Sequence, residues 1–176
     1  MRKTRPRHPA GPAGRVLLSP LTADDLTVVA PWFRDPATRR YLGGPDWPAR
    51  MLALGADAVG REFRGAVQSG AYRYLAREDG APFGYVDCGT FVAPGSDGPT
   101  GSIASAVDPQ ARGRGLGRAM LAALVRAPEL ASVAVFEAGV EPENVASRRC
   151  LEAARFALAA DEPDAEGILY YRLHCR

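Results

Sequence analysis

Three β-type runs in succession constrain this chain more than any other feature: "AYRYLARE", "PFGYVDCGTFVA" and "GSIASAVD", between residues 71 and 108. Only "DGAP" and "APGSDGPTG" separate them, which predicts three consecutive antiparallel strands joined by turns. The third run passes directly into "QARGRGLGRAML". There, three glycines and three arginines fall within residues 112–118, and Leu116, Ala119, Met120, Ala123 and Leu124 recur at helical spacing. A strand must therefore hand over to a helix through glycines.

Around this centre the reading is simpler. "RVLLSPL" is a short strand, and Thr22 can cap a helix with Asp24 and Asp25 in its first turn, followed by Leu26, Val29, Ala30 and Phe33 on one side. "DPATRRYL" is a short helical piece and "GGPDWP" a turn. From Pro48, the stripe Met51, Leu52, Val59, Phe63, Ala66 and Val67 predicts a helix ending near Gly70. After the glycine-opened helix come a strand, "SVAVFEAGV", a helix, "NVASRRCLEAA", and closing strands, "FALAA" and "ILYYRLH". The expected fold class is α+β, one domain over residues 15–176 with a mixed, mostly antiparallel sheet of about seven strands flanked by helices. Residues 1–14, basic and rich in Pro and Gly, are expected to form a poorly ordered arm.

Composition narrows the function classes. At 176 residues and 47% apolar content the chain can bury one real core. Its 22 basic and 20 acidic residues nearly cancel, so no nucleic-acid or membrane partner is expected from overall charge. No apolar run has membrane-span length and the N-terminus lacks the apolar region of a secretion signal, so a cytoplasmic protein is expected. Cys88, Cys150 and Cys175 are widely spaced without a CxxC pair, so no metal site is expected. With His8 and His174 the only histidines, a Ser or Cys hydrolase is disfavoured.

A helix opening on glycines presents unpaired N–H groups and the positive end of its dipole, which together bind anions. Glycine lets a ligand approach the backbone, and Arg112, Arg114 and Arg118 add charge around the same mouth. The direct physical reading is a phosphorylated ligand. Neither the GxGxxG dinucleotide fingerprint nor a P-loop with GK and Ser or Thr fits this spacing.

"VDPQARGRGLGRAML" is similar to the acetyl-coenzyme A motif of the GNAT superfamily of N-acetyltransferases, in which Q/R-x-x-G-x-G/A follows a strand and opens a helix. Here that run is Arg112, Gly113, Arg114, Gly115, Leu116 and Gly117. "EPENVASRRCLEAARF" resembles the family's second motif, an Asn opening a helix that ends shortly before a Gly-Phe pair. The resemblance implies a GNAT fold with splayed central strands and acetyl-CoA as the cofactor. It also implies that backbone amides from Arg112 to Arg118 hold the pyrophosphate, and that Ala106 and Val107 border the pantetheine arm. Val107 N–H would act as oxyanion donor. Asn144 would bond the cofactor through its amide, with Ser147 one turn on, although Asn is equally a strong N-cap.

The pattern departs at three positions. The glutamate that many members carry early in the strand before the glycines falls near Ser102, the tyrosine of the second motif becomes Leu151, and Arg155 replaces the Gly of the Gly-Phe pair. Orientation alone accelerates attack of an amine on a thioester, but the amine must still lose a proton. Asp87 is the residue expected to take it, because alternation puts Tyr85, Asp87 and Gly89 on one strand face and Val86 and Cys88 on the other. A salt bridge is the other reading of Asp87. Tyr41, Asp46 and Trp47 in "RRYLGGPDWP" are expected, with Asp87, to bind a cationic acceptor. Trp32 either joins them or belongs to the core. "WFRDPATRRYLGG" and the missing tyrosine resemble the branch containing ribosomal-protein N-terminal and aminoglycoside 6'-N-acetyltransferases. The expected reaction is acetyl transfer to a primary amine of a small molecule or peptide. A non-catalytic acyl-CoA sensor, a transferase using succinyl-CoA and a nucleic-acid binder are the alternatives, and a homodimer is compatible with the sequence.

Overall fold

The computed structural model describes residues 15–175, so the expected N-terminal arm lies outside the described residues. The chain runs β1 (Val16–Pro20), α1 (Leu26–Val29), α2 (Pro36–Tyr41), α3 (Trp47–Ala58), β2 (Glu62–Phe63), β3 (Ala66–Glu78), β4 (Ala81–Val92) and β5 (Thr100–Val107). It continues through α4 (Leu116–Leu124), β6 (Val135–Val140), α5 (Val145–Ala153), β7 (Ala157–Leu158) and β8 (Leu169–His174). The sheet order is β1-β3-β4-β5-β6-β8-β7, with β2 paired to β3. Every pair is antiparallel except β5 with β6.

At β4 the sheet is covered on both faces, which is why that strand is buried without interruption from Phe83 to Thr90. Val86 and Cys88 enter a large cluster with Leu116, Met120, Leu124 and Leu151 from α4 and α5. Tyr85 points the other way, into a smaller cluster with Val29, Trp32, Phe33 and Leu75 beneath α1 to α3. The alternation expected around Asp87 is therefore present. Burial pushes the Cys88 thiol up to about 12, so it packs as a neutral side chain. No helix among the described residues is long and apolar enough to cross a membrane.

Two local expectations differ. The helix from Pro48 stops at Ala58 and not near Gly70: Val59 is extended, and Gly60 takes φ +86. Phe63 then stands 59% exposed in the β2–β3 hairpin. Its helical spacing from Val59 is coincidental, because Gly60 and Gly65 each lower helix propensity by about 1 kcal/mol and β3 offers a ladder instead. Near the N-terminus, Thr22 N donates to Asp25 Oδ2 at 2.9 Å and Asp25 N to Thr22 Oγ1 at 3.4 Å, but these bonds close a turn ahead of the helix: α1 begins only at Leu26, with Asp25 and not Thr22 as its N-cap.

The feature that positions the site is the β5–β6 junction. The two strands pair from Thr100↔Val135 to Ser102↔Glu137 and no further, although β5 runs on to Val107 and β6 to Val140. Beyond Ser102 they diverge.

Candidate active site

Asp108 N donates to Phe83 O at 2.8 Å, and Gly84 lies opposite Val107 in the β4–β5 register. Antiparallel bonding alternates along a strand, so Ala104 and Ala106 bond to β4 while Ile103, Ser105 and Val107 turn their N–H and C=O groups toward β6. The last parallel rung, Ser102↔Glu137, still takes up the Ile103 N–H, and beyond it β6 no longer pairs. One lip of the gap thus carries a row of backbone groups aimed where a further strand would lie. Ala106 itself spends its backbone on β4 and its methyl in the smaller cluster.

The loop that follows is open at two glycines and closed at the third. Gly113 and Gly115 have φ +78 and +79, and a Cβ on either would meet nothing within 4 Å. Both are exposed, with open space on the Cβ side of the backbone just before α4. A Cβ on Gly117 would come within 2.8 Å of Cys150 Sγ, so this glycine lets α4 pack on α5. Leu116 is buried and can offer only its backbone. Of the arginines, Arg112 pairs with Asp35 at 2.9 Å and Arg114 with Glu78 at 2.6 Å, while Arg118 is exposed and makes no ion pair among the described residues. The side chains of Arg112 and Arg114 are therefore committed within the chain.

Across the gap, Asn144 caps α5: its Oδ1 accepts from Ser147 N at 3.2 Å, leaving its amide nitrogen and the Ser147 hydroxyl without bonds among the described residues. Capping uses only the oxygen, so the amide can still donate.

On the opposite sheet face, Asp87 Oδ2 accepts from Arg73 Nε at 2.9 Å and from the Tyr85 hydroxyl at 3.3 Å. The Arg73 and Asp87 side chains are 8% and 11% exposed. Burial lifts the Asp87 carboxyl above its ordinary range, against the opposing pull of Arg73. Among the described residues Oδ1 accepts no hydrogen bond and no fully buried side-chain oxygen lacks one, so Oδ1 keeps some exposure. Burial also pushes the Tyr85 phenol far up, keeping it a donor. Trp47 stacks on Phe33 at 5.6 Å and meets Tyr85 edge-on at 5.7 Å, so it stands one ring away from Asp87. Tyr41 is half-buried with the Arg40 guanidinium 5.2 Å above its ring. Asp46 lies exposed at the start of α3, 3.7 Å from Arg50 and outside the aromatic group. Trp32 is core.

The rung Gly89–Ser102–Glu137–Arg172 shares the Asp87 face, with Ser102 exposed and Glu137 bonded to Arg172 at 2.6 Å. Arg73 and Glu137 carry no local signal in the sequence that marks them for this face. Counting outward from the Asp79–Gly80 turn sets Tyr72 opposite Asp87; the register shift between Ala76 and Arg77 moves Arg73 there instead.

A family model described as an acetyltransferase (GNAT) domain matches residues 15–157. The chain belongs to the GNAT acetyltransferase family. An uncharacterized N-acetyltransferase of Bacillus subtilis (strain 168), YfmK, is 27% identical over 149 residues, which are 82% of this chain and 87% of that protein. Aminoglycoside acetyltransferase AAC(6')-Ib, solved with coenzyme A and kanamycin, shares the fold at a TM-score of 0.67 and 21% identity, covering 91% of this chain and 95% of that one. An acetyltransferase from Thermus thermophilus does so at 0.67 and 20%, covering 91% and 97%.

As a GNAT acetyltransferase the protein is an acetyl-CoA-dependent acyltransferase. Its own geometry fits that donor: a gap with unspent backbone on one lip leads to a glycine loop with room for a ligand. The GNAT departures also find places. Leu151 is buried in the larger cluster, where an apolar side chain packs, and Arg155 takes φ +71, the left-handed conformation that glycine ordinarily fills. Tyr171 is core, its hydroxyl held by Arg148 and Glu152.

Proposed function

We propose that this protein transfers the acetyl group of acetyl-CoA to a primary amine of a small molecule or peptide. The observation that carries this reading is the β5–β6 ladder stopping at Ser102↔Glu137 while β5 runs on toward an exposed glycine loop with open space at Gly113 and Gly115. Acetyl-CoA bound there supplies an activated acyl thioester. Amides from Arg112 to Arg118 hold the pyrophosphate, with Arg118 adding its charge. The gap-facing groups of Ser105, with the Ile103 C=O and the Val107 N–H, bond the pantetheine arm as they would an added strand. Val107 N–H donates to the thioester carbonyl oxygen as charge develops on it. The Asn144 amide, with Ser147 beside it, bonds the arm from the other lip.

On the acceptor side, Trp47 presents the aromatic wall with Phe33 and Tyr85, Tyr41 adds a ring from α2, and Asp46 attracts a cation from the rim. Asp87 Oδ1 receives the ammonium and takes its proton, a task that a carboxyl lifted by burial performs better than an exposed one. The kanamycin complex of the relative supports an amine-bearing small molecule. The test is thiol release from acetyl-CoA with polyamines, aminoglycosides, amino acids and N-terminal peptides. At least one class should exceed the acceptor-free rate, and a protein that binds coenzyme A but is accelerated by none would sink the transfer reading. Asp87 is active when deprotonated, so turnover should rise with pH through its lifted pKa. Asp87→Asn should abolish that limb and cost about 100-fold in kcat; wild-type turnover across pH would remove Asp87 from the reaction.

A further inference from the structure

Arg112 stands at the head of the glycine motif, where charge toward a pyrophosphate is the plain expectation. Each of its three guanidinium nitrogens instead has a partner within the chain. Nη1 lies 2.9 Å from Asp35 Oδ2, Nη2 donates to Thr38 Oγ1 at 2.6 Å, and Nε donates to Val107 O at 3.3 Å. Asp35 is the N-cap of α2, accepting from Thr38 N at 3.0 Å, and Thr38 is buried. One planar fork thus grips the start of α2 and the carbonyl of the strand residue whose N–H faces the gap. Because the fork is rigid, bonds from all three nitrogens fix the relative position of the elements they reach. A strand residue turned away from its partner projects its N–H and C=O to the same side, so a hold on Val107 O bears on the aim of Val107 N–H.

We propose that Arg112 is a positioning residue and not a phosphate ligand: it locks the reacting end of β5 to the start of α2, holding the oxyanion donor and the acceptor wall in one frame. This rests on the reading that the thioester lies against Val107. The other end of α2 is tied more weakly, by Arg40 to Glu143 across the gap, where the side chains are 62% and 55% exposed. The Arg112 and Asp35 side chains are 39% and 22% exposed, so Arg112 is the firmer anchor. Loosening it costs rate, not cofactor affinity.

The test is Arg112→Lys, with Thr38→Val as a milder cut that leaves the Asp35 pair in place. Three quantities are read: the coenzyme A Kd by calorimetry, the Val107 amide resonance in ¹⁵N-valine-labelled protein with and without acetyl-CoA, and kcat with the best acceptor of the amine panel. In Arg112→Lys, kcat should fall about tenfold while Kd stays within about twofold, since an interaction realised in the transition state has been lost. The shift of the Val107 amide on adding acetyl-CoA should shrink with it. Thr38→Val should move kcat and the amide in the same direction, and Thr38→Ser, which keeps the hydroxyl, should restore both. A Kd weakened more than about tenfold with kcat retained would make Arg112 a phosphate ligand and overturn the proposal. So would wild-type kcat and amide shift in Arg112→Lys or, should that variant not fold, in Thr38→Val. A wild-type protein that binds acetyl-CoA with no Val107 shift would overturn the thioester reading along with the proposal, and is distinguished because the unsubstituted chain is itself silent.

Discussion

A Cβ at Gly115 would project into open space from a backbone at φ +79, whereas one at Gly117, two positions on, would press on Cys150 Sγ. The two glycines should therefore fail differently. Gly115→Val adds about 1–2 kcal/mol of left-handed strain but mainly fills the space over the loop, so coenzyme A binding should be lost from a folded protein. Gly117→Ala overpacks the contact between α4 and α5 and should cost about 1–3 kcal/mol of stability while leaving coenzyme A affinity nearly unchanged. Calorimetry and urea midpoints on both variants check the pair; a Gly117→Ala protein of normal stability that cannot bind coenzyme A would reverse the assignment. In the sequence these glycines are one motif. What separates them is a cysteine 33 positions further along the chain, pressed against one and not the other. Asp87 shows a similar limit: its strand face is legible from alternation, but its arginine partner is not, because one bulge displaces the count by a residue.

The end of α5 explains a departure that composition leaves bare. Arg155 N donates to Glu152 O and Phe156 N to Leu151 O, both at 3.0 Å, and Arg155 stands at φ +71. These are the two bonds of a Schellman cap, with Phe156 and Leu151 packed in the same core cluster behind it. The element keeps the geometry of a Gly-Phe ending while an arginine occupies the strained position. Arg155→Gly should accordingly raise stability by about 1 kcal/mol, with an increased urea midpoint and unchanged slope. A lower midpoint would mean that the Arg155 side chain contributes more than its backbone costs. At this same scale the sequence overstates the length of α3, since apolar residues at helical intervals say nothing about a glycine that turns the chain back into a hairpin.

For the whole molecule, the pair between Asp35 and Arg112 joins the helical layer over one sheet face to the strand that borders the gap. The Asp35 carboxyl lies below its ordinary 3.8, chiefly because it accepts from Thr38 N, with Arg112 also opposing the cost of burial. A lowered native pKa means that the ionised form stabilises the fold, so the contribution is full above 3.8 and is lost as pH falls through the native value. Melting temperatures of wild type and Asp35→Asn should differ by a constant amount above about pH 5 and converge below about pH 4. A difference unchanged at the acid end would show that Asp35 does not titrate with folding.

Legible in the residues alone are the order of the strands and helices apart from the short β2, the glycine-opened helix, the face on which Asp87 lies and, through two motifs, membership of an acetyltransferase family. Each depends on neighbours a few residues apart, where periodicity and turn chemistry act directly. Where β5 and β6 part, which amides face the gap and which arginines are already spoken for follow from the folded chain alone. Those depend on strand register and on contacts such as Arg112 with Thr38, 74 residues apart, which no local pattern encodes because they come into being only when the sheet twists and the helices pack upon it.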